Sequence, residues 1–408
     1  MLIPYSPYKQ LTSLSAIYLP KKVVFELGGT FRLLEELKLL GVDRGSGVLL
    51  VLDPAVKHLD QVVKGVKLLE EAGYRVDAYT DIEYEPTIEC AKRLAEYAWR
   101  GDYRAVVGIG GGSTIDLAKV AAVGRDNPGK DIELFIGLDK VPRRLTPLIA
   151  LPTTAGTAAE VSRFSIFTKG YSKTGIHGVH VMPDVAVVDP ALTYSLPPRV
   201  TAGTGLDALS HAVEGLLSYD STLFSDVAAY LSIELIFKYL RRAYFKGSDV
   251  EARYFMSLAA TTAGIPLNVA RVILGHSISQ VVGPTYKLHH GAACGMALPY
   301  IMDFYFPVAQ EKLAVIARAA GVDTALLDVQ GAAEEAVRAT WDLVMDLDIP
   351  LSLREVGVSR AELEALAERT VKEWPRPNSP IDLTKERVLK VYQAMYEGSL
   401  VRVKVGQS

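Results

Sequence analysis

Apolar residues in the first half of the chain follow two alternating spacings. Short runs of branched apolar residues predict buried strands, and longer stretches with apolar positions three or four residues apart predict helices. The strand-like runs are 47–52, 75–80 and 103–109, and the helix-like stretches are 56–72, 87–99 and 114–123. Because strands and helices alternate strictly, we predict a parallel sheet covered by helices on both faces, which is a doubly wound α/β domain.

The second half of the chain lacks strand signals after Pro197 and Pro198. Its apolar positions recur at helical spacing, which predicts an all-helical domain. The helix-like stretches are 202–218, 225–244, 250–263, 312–320, 331–347 and 360–372. The two prolines coincide with the change in pattern, so we expect an α/β domain over 1–196 and a helical domain over 197–408.

Composition excludes several classes of protein. The 408 residues are 49% hydrophobic and 22% charged, which is ordinary for a globular protein and unlike a disordered or fibrous chain. The formal net charge is −3 and both signs are mixed along the chain, so we expect no nucleic-acid partner. The most apolar stretches, 47–52 and 148–152, are only as long as strands, and we therefore expect no membrane-spanning segment.

Cysteine and asparagine usage bears on the environment of the protein. Two cysteines, Cys90 and Cys294, are too few for a disulfide framework, and we interpret both as small buried residues. Residues 1–14 lack the basic and apolar segments of a secretion signal, so we expect a cytoplasmic protein. Asparagine occurs only at 127, 268 and 378, and depletion of thermolabile amides is typical of a thermophile.

A glycine-rich loop connects the strand-like run 103–109 to the following helix. Gly110, Gly111 and Gly112 let an anion approach the backbone closely, and Ser113 is a suitable N-cap. Free N–H groups at the start of a helix and its positive dipole end bind phosphate groups. We therefore predict a pyrophosphate site here, and a tight turn without a ligand is the alternative.

Two further features follow strand-like runs. Residues 151–161 are rich in threonine and small residues, which suits either close approach by a planar or phosphorylated ligand or a series of capped turns. Asp53 follows the run 47–52, at the edge where open α/β sheets bind ligands, and its carboxylate is suited to ribose hydroxyls. An acidic turn residue before Pro54 is the alternative interpretation of Asp53.

A carboxylate and several imidazoles in the second half have the chemistry of a metal site. Asp207 and His211 lie one helical turn apart in an otherwise apolar stretch, so they share a face and would be costly to bury without a partner. Three more histidines cluster downstream, namely His276, His289 and His290. Only tertiary folding can bring them to Asp207. Together these side chains suit Fe²⁺ or Zn²⁺ rather than Ca²⁺ or Mg²⁺.

Four segments together resemble the motifs of the iron-containing, group III alcohol dehydrogenases. They are GGGSTIDLAK at 110–119, PTTAGTAAEVS at 152–162, GLDALSHAVEG at 205–215 and HG-x6-LP at 290–299. The AGTAAEV variant and the acid at Asp53 most resemble the lactaldehyde reductase (propanediol oxidoreductase) branch. The resemblance implies a dehydroquinate synthase-like architecture, in which a metal lies between a dinucleotide-binding domain and a helical domain, and it implies a homodimer.

The resemblance also implies roles for individual residues. The implied metal ligands, which would hold the reacting alkoxide, are Asp207, His211, His276 and His290. The implied cofactor-binding residues are Asp53, Gly111, Gly112, Ser113, Asp116, Thr153, Thr154, Thr157 and Lys173. The metal would be Fe²⁺, with Zn²⁺ as the alternative. Because an acid at position 53 repels a 2′-phosphate, NAD is favoured over NADP.

Two positions depart from the family pattern. Gln280 stands where members commonly have a histidine that relays protons, and glutamine does not titrate near neutrality. His289 or solvent would then carry the proton. Phe164 stands where the lactaldehyde reductase branch has an asparagine near the nicotinamide, and an aromatic ring there favours a more apolar substrate.

These features predict reversible hydride transfer between NAD(H) and a primary or secondary alcohol, with a small alcohol or aldehyde as the partner molecule. A glycerol- or polyol-type dehydrogenase is the nearest alternative. A dehydroquinate synthase-like lyase shares the architecture but needs several basic residues near the metal. Only Arg271 and Lys287 lie near the implied ligands in the sequence, and the PTTAGTAAE motif resembles the dehydrogenases.

Overall fold

The computed structural model describes residues 16–170 and 172–405. They divide into two compact units, one over Tyr18–Ser195 and the other containing the described residues from Leu196 onward. The segment 1–14, on which the expectation about secretion rests, lies outside the described residues.

The first unit is built on a six-stranded parallel sheet. The described residues of this unit form nine strands in all: β1 (Lys22–Phe25), β2 (Gly47–Leu52), β3 (Arg75–Tyr79), β4 (Tyr103–Gly110), β5 (Gly137–Leu138), β6 (Leu148–Pro152), β7 (Phe164–Lys169), β8 (Ser172–His177) and β9 (Val185–Val188). The large sheet has the order β1-β9-β6-β4-β2-β3, and every neighbouring pair in it is parallel. The predicted parallel α/β class is confirmed.

Helices cover both faces of this sheet. They are α1 (Leu33–Leu39), α2 (Asp60–Glu71), α3 (Ile88–Arg100) and α4 (Gly112–Asp126). Along β2, Leu49 and Val51 belong to one apolar cluster, whereas Val48 and Leu50 belong to the other. Successive side chains of a strand point to opposite faces, so a strand buried on both faces is apolar throughout.

The start of α4 corrects one detail of the sequence analysis. Gly111, with φ −74° and ψ −174°, is the N-cap, and no side chain caps this helix within the described part of the chain. Ser113, which we expected to be the cap, is instead the second helical residue. Its Oγ accepts a hydrogen bond from the backbone N–H of Glu85 at 3.2 Å. The first turn of α4 therefore keeps its amides available to an anion.

A smaller sheet was not predicted from the sequence. Strands β7 and β8 form an antiparallel hairpin, and β5 pairs with β8 in parallel. Gly170 lies in the turn with φ +63°, a conformation that glycine adopts readily. The hairpin is attached to α4, because the Asp116 carboxylate accepts a hydrogen bond from the Ile166 N–H at 2.9 Å.

The second unit is helical in its described residues. Its helices are α5 (Pro198–Leu217), α6 (Leu223–Phe245), α7 (Val250–Val269), α8 (Leu274–Tyr286), α9 (His290–Ala319), α10 (Val329–Asp346), α11 (Leu363–Glu373) and α12 (Lys385–Glu397). The sequence pattern missed α8, α12 and the first half of α9. Helix α9 continues through Pro299 and Pro307, with a kink at Ala309.

The length of α9 also corrects the statement that the apolar stretches are only strand-sized. Among the described helices, α9 alone is long and apolar enough in composition to cross a bilayer unbroken, and 83% of its most apolar 18-residue window is buried inside the protein. Such burial is that of a central helix in a helical bundle.

Candidate active site

The strand order of the large sheet reverses between β2 and β4, which creates a crevice at their carboxyl ends. Asp53 follows β2 and is 7% exposed. Its Oδ1 accepts hydrogen bonds from the Ala55 N–H at 2.9 Å and from the Tyr84 hydroxyl at 3.1 Å. A methyl group added to Gly110 would lie 2.8 Å from Cβ of Asp53. The acid and the glycine loop therefore share this edge.

The threonine-rich loop packs directly on the glycine loop. The Thr153 N–H donates to the Gly110 carbonyl at 3.0 Å. A Cβ on Gly112 would collide with the Thr157 side chain at 2.8 Å, so this contact needs glycine. Oγ1 of Thr154 is buried and makes no hydrogen bond with any described residue. It is thus a polar atom that a ligand at this edge can satisfy.

Ser113, Asp116 and Lys173 all have protein partners. The Lys173 ammonium lies 3.8 Å from Oε1 of Glu85, the residue whose N–H bonds Ser113. Asp116 uses one oxygen for Ile166 and the other for the Lys119 ammonium, at 3.3 Å. Asp116 is therefore bonded to the hairpin. Lys173 is linked to the start of α4 indirectly, because its partner Glu85 bonds Ser113.

Lys119 is a buried charged residue that the sequence analysis did not single out. Its ammonium is fully buried and donates to the Ser162 hydroxyl at 3.1 Å and to the Phe164 carbonyl. Burial lowers the pKa of Lys119 and raises that of Asp116, although each partly stabilises the charge of the other. The lysine fixes the backbone at Phe164, whose ring lies edge-on to His177 with centroids 5.3 Å apart.

In the helical unit, three imidazoles surround one carboxylate oxygen. Asp207 and His211 come from α5, His276 from α8 and His290 from the first turn of α9. Oδ1 of Asp207 lies 3.7 Å from Nε2 of His211 and 3.6 Å from Nε2 of both His276 and His290. The three imidazoles thus face one carboxylate oxygen, and those of His276 and His290, with Asp207, belong to the group whose ligand atoms all lie within 4.8 Å of one another.

Glu214 is a member of this site that the sequence analysis missed. It lies two turns after Asp207 on the same face of α5 and is fully buried. Its Oε1 accepts a hydrogen bond from Nδ1 of His276 at 2.5 Å, and its Oε2 accepts one from the Ile273 N–H at 2.8 Å. A proton on Nδ1 leaves the Nε2 lone pair of His276 facing Asp207, which is the tautomer that binds a metal.

The second cysteine also belongs to this site. Cys294 follows His290 by one turn of α9, and its Sγ lies 3.7 Å from Nε2 of His290. The ligand atoms of Asp207, His276, His290 and Cys294 all lie within 4.8 Å of one another. Cys294 is buried, as expected from the sequence, and it also lies one helical turn from His290.

The electrostatics of this group fit a cation. Burial opposes ionisation of Asp207, but the imidazoles of His211, His290 and His276 outweigh it and hold its pKa well below the usual range. Burial likewise opposes ionisation of Glu214, and His276 outweighs it. Oδ1 of Asp207 and Nε2 of His276 are buried without a hydrogen-bond partner among the described residues. Such atoms need an ion or a ligand between them.

Neither Gln280 nor His289 belongs to the donor group. Gln280 lies one turn after His276, and its Oε1 is buried without a hydrogen bond to any part of the chain that the structure describes. His289 is exposed and is the N-cap residue of α9.

Family models match both units. The model described as "Iron-containing alcohol dehydrogenase" matches residues 20–190, and the one described as "Fe-containing alcohol dehydrogenase family, C-terminal" matches residues 201–396. The chain belongs to the iron-containing alcohol dehydrogenase family. The family predicted from the four motifs is therefore confirmed. This iron-containing alcohol dehydrogenase is an oxidoreductase that acts on alcohols, and its family implies an iron-type metal and an NAD-type cofactor.

Relatives of this alcohol dehydrogenase differ in their substrates. Long-chain-alcohol dehydrogenase 1 of Geobacillus thermodenitrificans is 33% identical over 92% of this chain and 95% of its own length. The 1,3-propanediol dehydrogenase of Klebsiella pneumoniae is 32% identical, with 89% and 94% covered.

Solved structures of the family have the same fold. A 1,3-propanediol oxidoreductase superposes with a TM-score of 0.89 at 30% identity, over 94% of this chain and all of its own. The sulfoacetaldehyde reductase of Bifidobacterium kashiwanohense, solved in complex with NAD⁺, gives a TM-score of 0.82 at 27% identity, over 94% of this chain and 99% of its own.

Proposed function

We propose that this protein catalyses reversible hydride transfer between NAD(H) and a primary or secondary alcohol, using a divalent metal ion held by Asp207, His211, His276 and His290. The observation that carries the proposal is the convergence of three Nε2 atoms on the buried Oδ1 of Asp207, at 3.6–3.7 Å. The ion is Fe²⁺, with Zn²⁺ as the alternative, because a mixed oxygen and nitrogen set accepts both.

Two buried carboxylates, those of Asp207 and Glu214, set the charge and the orientation of the metal site. Asp207 provides negative charge in a buried place, and Glu214 orients His276 through Nδ1. A divalent ion bound there supplies Lewis-acid chemistry, which polarises a carbonyl and lowers the pKa of an alcohol hydroxyl. Because Gln280 does not titrate near neutrality, the hydroxyl proton leaves to solvent or through His289.

The first unit binds the dinucleotide at the crevice between β2 and β4. The first-turn amides of α4 bind the pyrophosphate, Thr154 Oγ1 bonds the cofactor, and Asp53 accepts from ribose hydroxyls. Thr153 and Thr157 hold the two loops together. A nicotinamide bound there would supply the redox chemistry by accepting the hydride that the alcohol carbon loses.

Asp53 makes NAD the preferred cofactor. Its Oδ1 is already used by Ala55 and Tyr84, so Oδ2 is the oxygen offered to ribose. A 2′-phosphate would bring two negative charges against this carboxylate, which is 7% exposed and therefore poorly screened.

The substrate is an alcohol or aldehyde more apolar than lactaldehyde. Phe164 is partly buried, its ring packs on His177, and its backbone is fixed by Lys119. An aromatic ring there offers contact area rather than hydrogen bonds to a substrate hydroxyl. The names of the relatives span long-chain alcohols and 1,3-propanediol, so the family alone leaves this choice open. From the sequence we also expect a homodimer, a cytoplasmic location and a thermophilic source.

The test is anaerobic reduction of a carbonyl panel by Fe²⁺-loaded protein, following NADH and NADPH oxidation separately. The panel runs from lactaldehyde and glyceraldehyde through butanal to benzaldehyde, with dihydroxyacetone to test the polyol alternative. We expect turnover with NADH that a chelator abolishes and that favours butanal or benzaldehyde. Full activity in metal-free protein would overturn the metal-dependent mechanism, and preference for dihydroxyacetone would favour the polyol dehydrogenase.

A further inference from the structure

Cys294 lies inside the donor group and not merely beside it. The thiol and His290 are one turn apart on α9, so both side chains project from the same helical face. Cys294 is 1% exposed, and its Sγ lies 3.7 Å from Nε2 of His290. Every ligand atom in the group of Asp207, His276, His290 and Cys294 lies within 4.8 Å of the others.

The spacing of these atoms matches that of ligands on one ion. Two ligand atoms on a tetrahedral ion, with metal–nitrogen bonds of about 2.0–2.1 Å and a metal–sulfur bond of about 2.3 Å, lie roughly 3.4–3.6 Å apart. Oδ1 of Asp207 lies 3.6 Å from Nε2 of both His276 and His290, and the sulfur lies 3.7 Å from His290. These three distances are close to that spacing, and the remaining pairs lie within 4.8 Å.

A packing role for the thiol leaves part of the site unexplained. Most buried cysteines act as small apolar residues with apolar neighbours. Here the sulfur faces imidazole nitrogens, and the neighbouring atoms Asp207 Oδ1 and His276 Nε2 are buried without hydrogen-bond partners in the described residues. A cation bound to the sulfur, Asp207 Oδ1 and His276 Nε2 would give both buried polar atoms a partner. A thiolate is a soft ligand, and a transition-metal ion is a partner that such a ligand prefers.

We propose that Cys294 is a thiolate ligand of the metal ion, in addition to the oxygen and nitrogen donors. When the sulfur–metal bond forms, the S–H bond breaks and the proton leaves to solvent. A thiolate makes the donor set softer and shifts its preference toward Zn²⁺. This inference rests on the metal site of the proposed function and adds a donor that the family resemblance did not imply.

The test uses Co²⁺ as a spectroscopic probe in the full-length protein. Metal-free wild type, Cys294→Ser and Cys90→Ser are loaded with Co²⁺ anaerobically, and their near-ultraviolet spectra are recorded. Cys90→Ser is the matched control because Cys90 is buried in α3 of the other unit. We expect a thiolate-to-cobalt charge-transfer band in wild type and Cys90→Ser that Cys294→Ser lacks, and sulfur at about 2.3 Å in X-ray absorption of the Zn²⁺ form.

The outcomes separate this inference from the proposed function. One Co²⁺ per wild-type chain without the band, or an equal band in Cys294→Ser, overturns the thiolate ligand and leaves the proposed metal site intact. Failure of wild type to bind Co²⁺ or Zn²⁺ overturns both. Circular dichroism checks that each variant is folded, and Cys294→Ala replaces the serine variant if serine prevents folding.

Discussion

The carboxylate of Glu214 accepts a hydrogen bond from Nδ1 of His276 at 2.5 Å, deep inside the helical unit. Removing its charge while keeping its shape should weaken metal binding without abolishing it. We expect Glu214→Gln to lower metal affinity by about 10- to 100-fold, since a carboxylate partner orients the imidazole and raises its basicity. Competition with a chromophoric chelator measures this, with the exposed Glu311→Gln as control. Equal affinities in the two variants would contradict the orienting role.

Substitution of Asp207 should abolish metal binding and leave NADH binding unchanged. Asp207→Ala removes the oxygen on which the three imidazoles converge, so we expect loss of bound metal and of activity. The nucleotide edge lies in another unit, so the NADH affinity of the metal-free proteins should be unchanged within about twofold. Metal analysis and NADH fluorescence titration measure the two effects. Retained metal in the variant would refute the assigned ligand.

Asp53→Asn tests the cofactor preference by charge alone. Asparagine keeps an oxygen for the bonds from Ala55 and Tyr84 but loses the repulsion toward a 2′-phosphate. We expect the ratio of kcat/KM for NADPH over NADH to rise about tenfold, which corresponds to about 1.4 kcal/mol. Asp43→Asn, at an exposed position, makes the same net-charge change and should leave the ratio constant. A similar rise of this ratio in Asp43→Asn would mean that net charge, and not the position of Asp53, sets the cofactor preference.

Gly112→Ala should disturb the loop through a steric effect. The added methyl would lie 2.8 Å from the Thr157 side chain, closer than side chains normally approach. Gly111→Ala is the comparison, because its nearest neighbour would lie at 3.4 Å, an ordinary contact. We expect Gly112→Ala to lower the melting temperature more than Gly111→Ala does. Equal melting temperatures would mean that Thr157 moves aside freely.

Asp226 should make the protein less stable as the pH rises. Burial raises its pKa to about 6, although Lys312 partly offsets this. Between the unfolded value near 3.8 and about 6, the folded state binds the extra proton, so the free energy of unfolding falls with increasing pH. The full loss is about 3 kcal/mol. We therefore expect Asp226→Asn to exceed wild type in denaturant stability at about pH 7.5 and to equal it near pH 4. An equal difference at both pH values would contradict this titration.

The spacing of residues along the sequence predicted contacts within one helix or strand. It did not predict contacts between different helices. The Asp207–His211 pair followed from one helical turn, and the α/β class followed from alternating apolar patterns. The approach of His276 to Asp207 depends on the packing of α8 against α5, which no spacing encodes.

Two residues were missed although their signal was present. Glu214 continues the face of Asp207 and His211 along α5, and Cys294 repeats the one-turn spacing from His290 along α9. Neither side chain belongs to the ligand set that the resemblance implies, so only the helical spacing points to them. The hairpin was missed for another reason: its second strand, Ser172–His177, is mostly polar and lacks the apolar run that marks a buried strand.

The metal donors come from α5 and from the consecutive helices α8 and α9, which begin more than 50 residues after α5 ends. A ribosome must therefore release His290 before the nascent chain contains a complete donor set, and the donors converge only after these helices have packed. Metal loading is consequently coupled to the folding of the helical unit. Damage to the packing of α8 or α9 should therefore lower metal content and stability together.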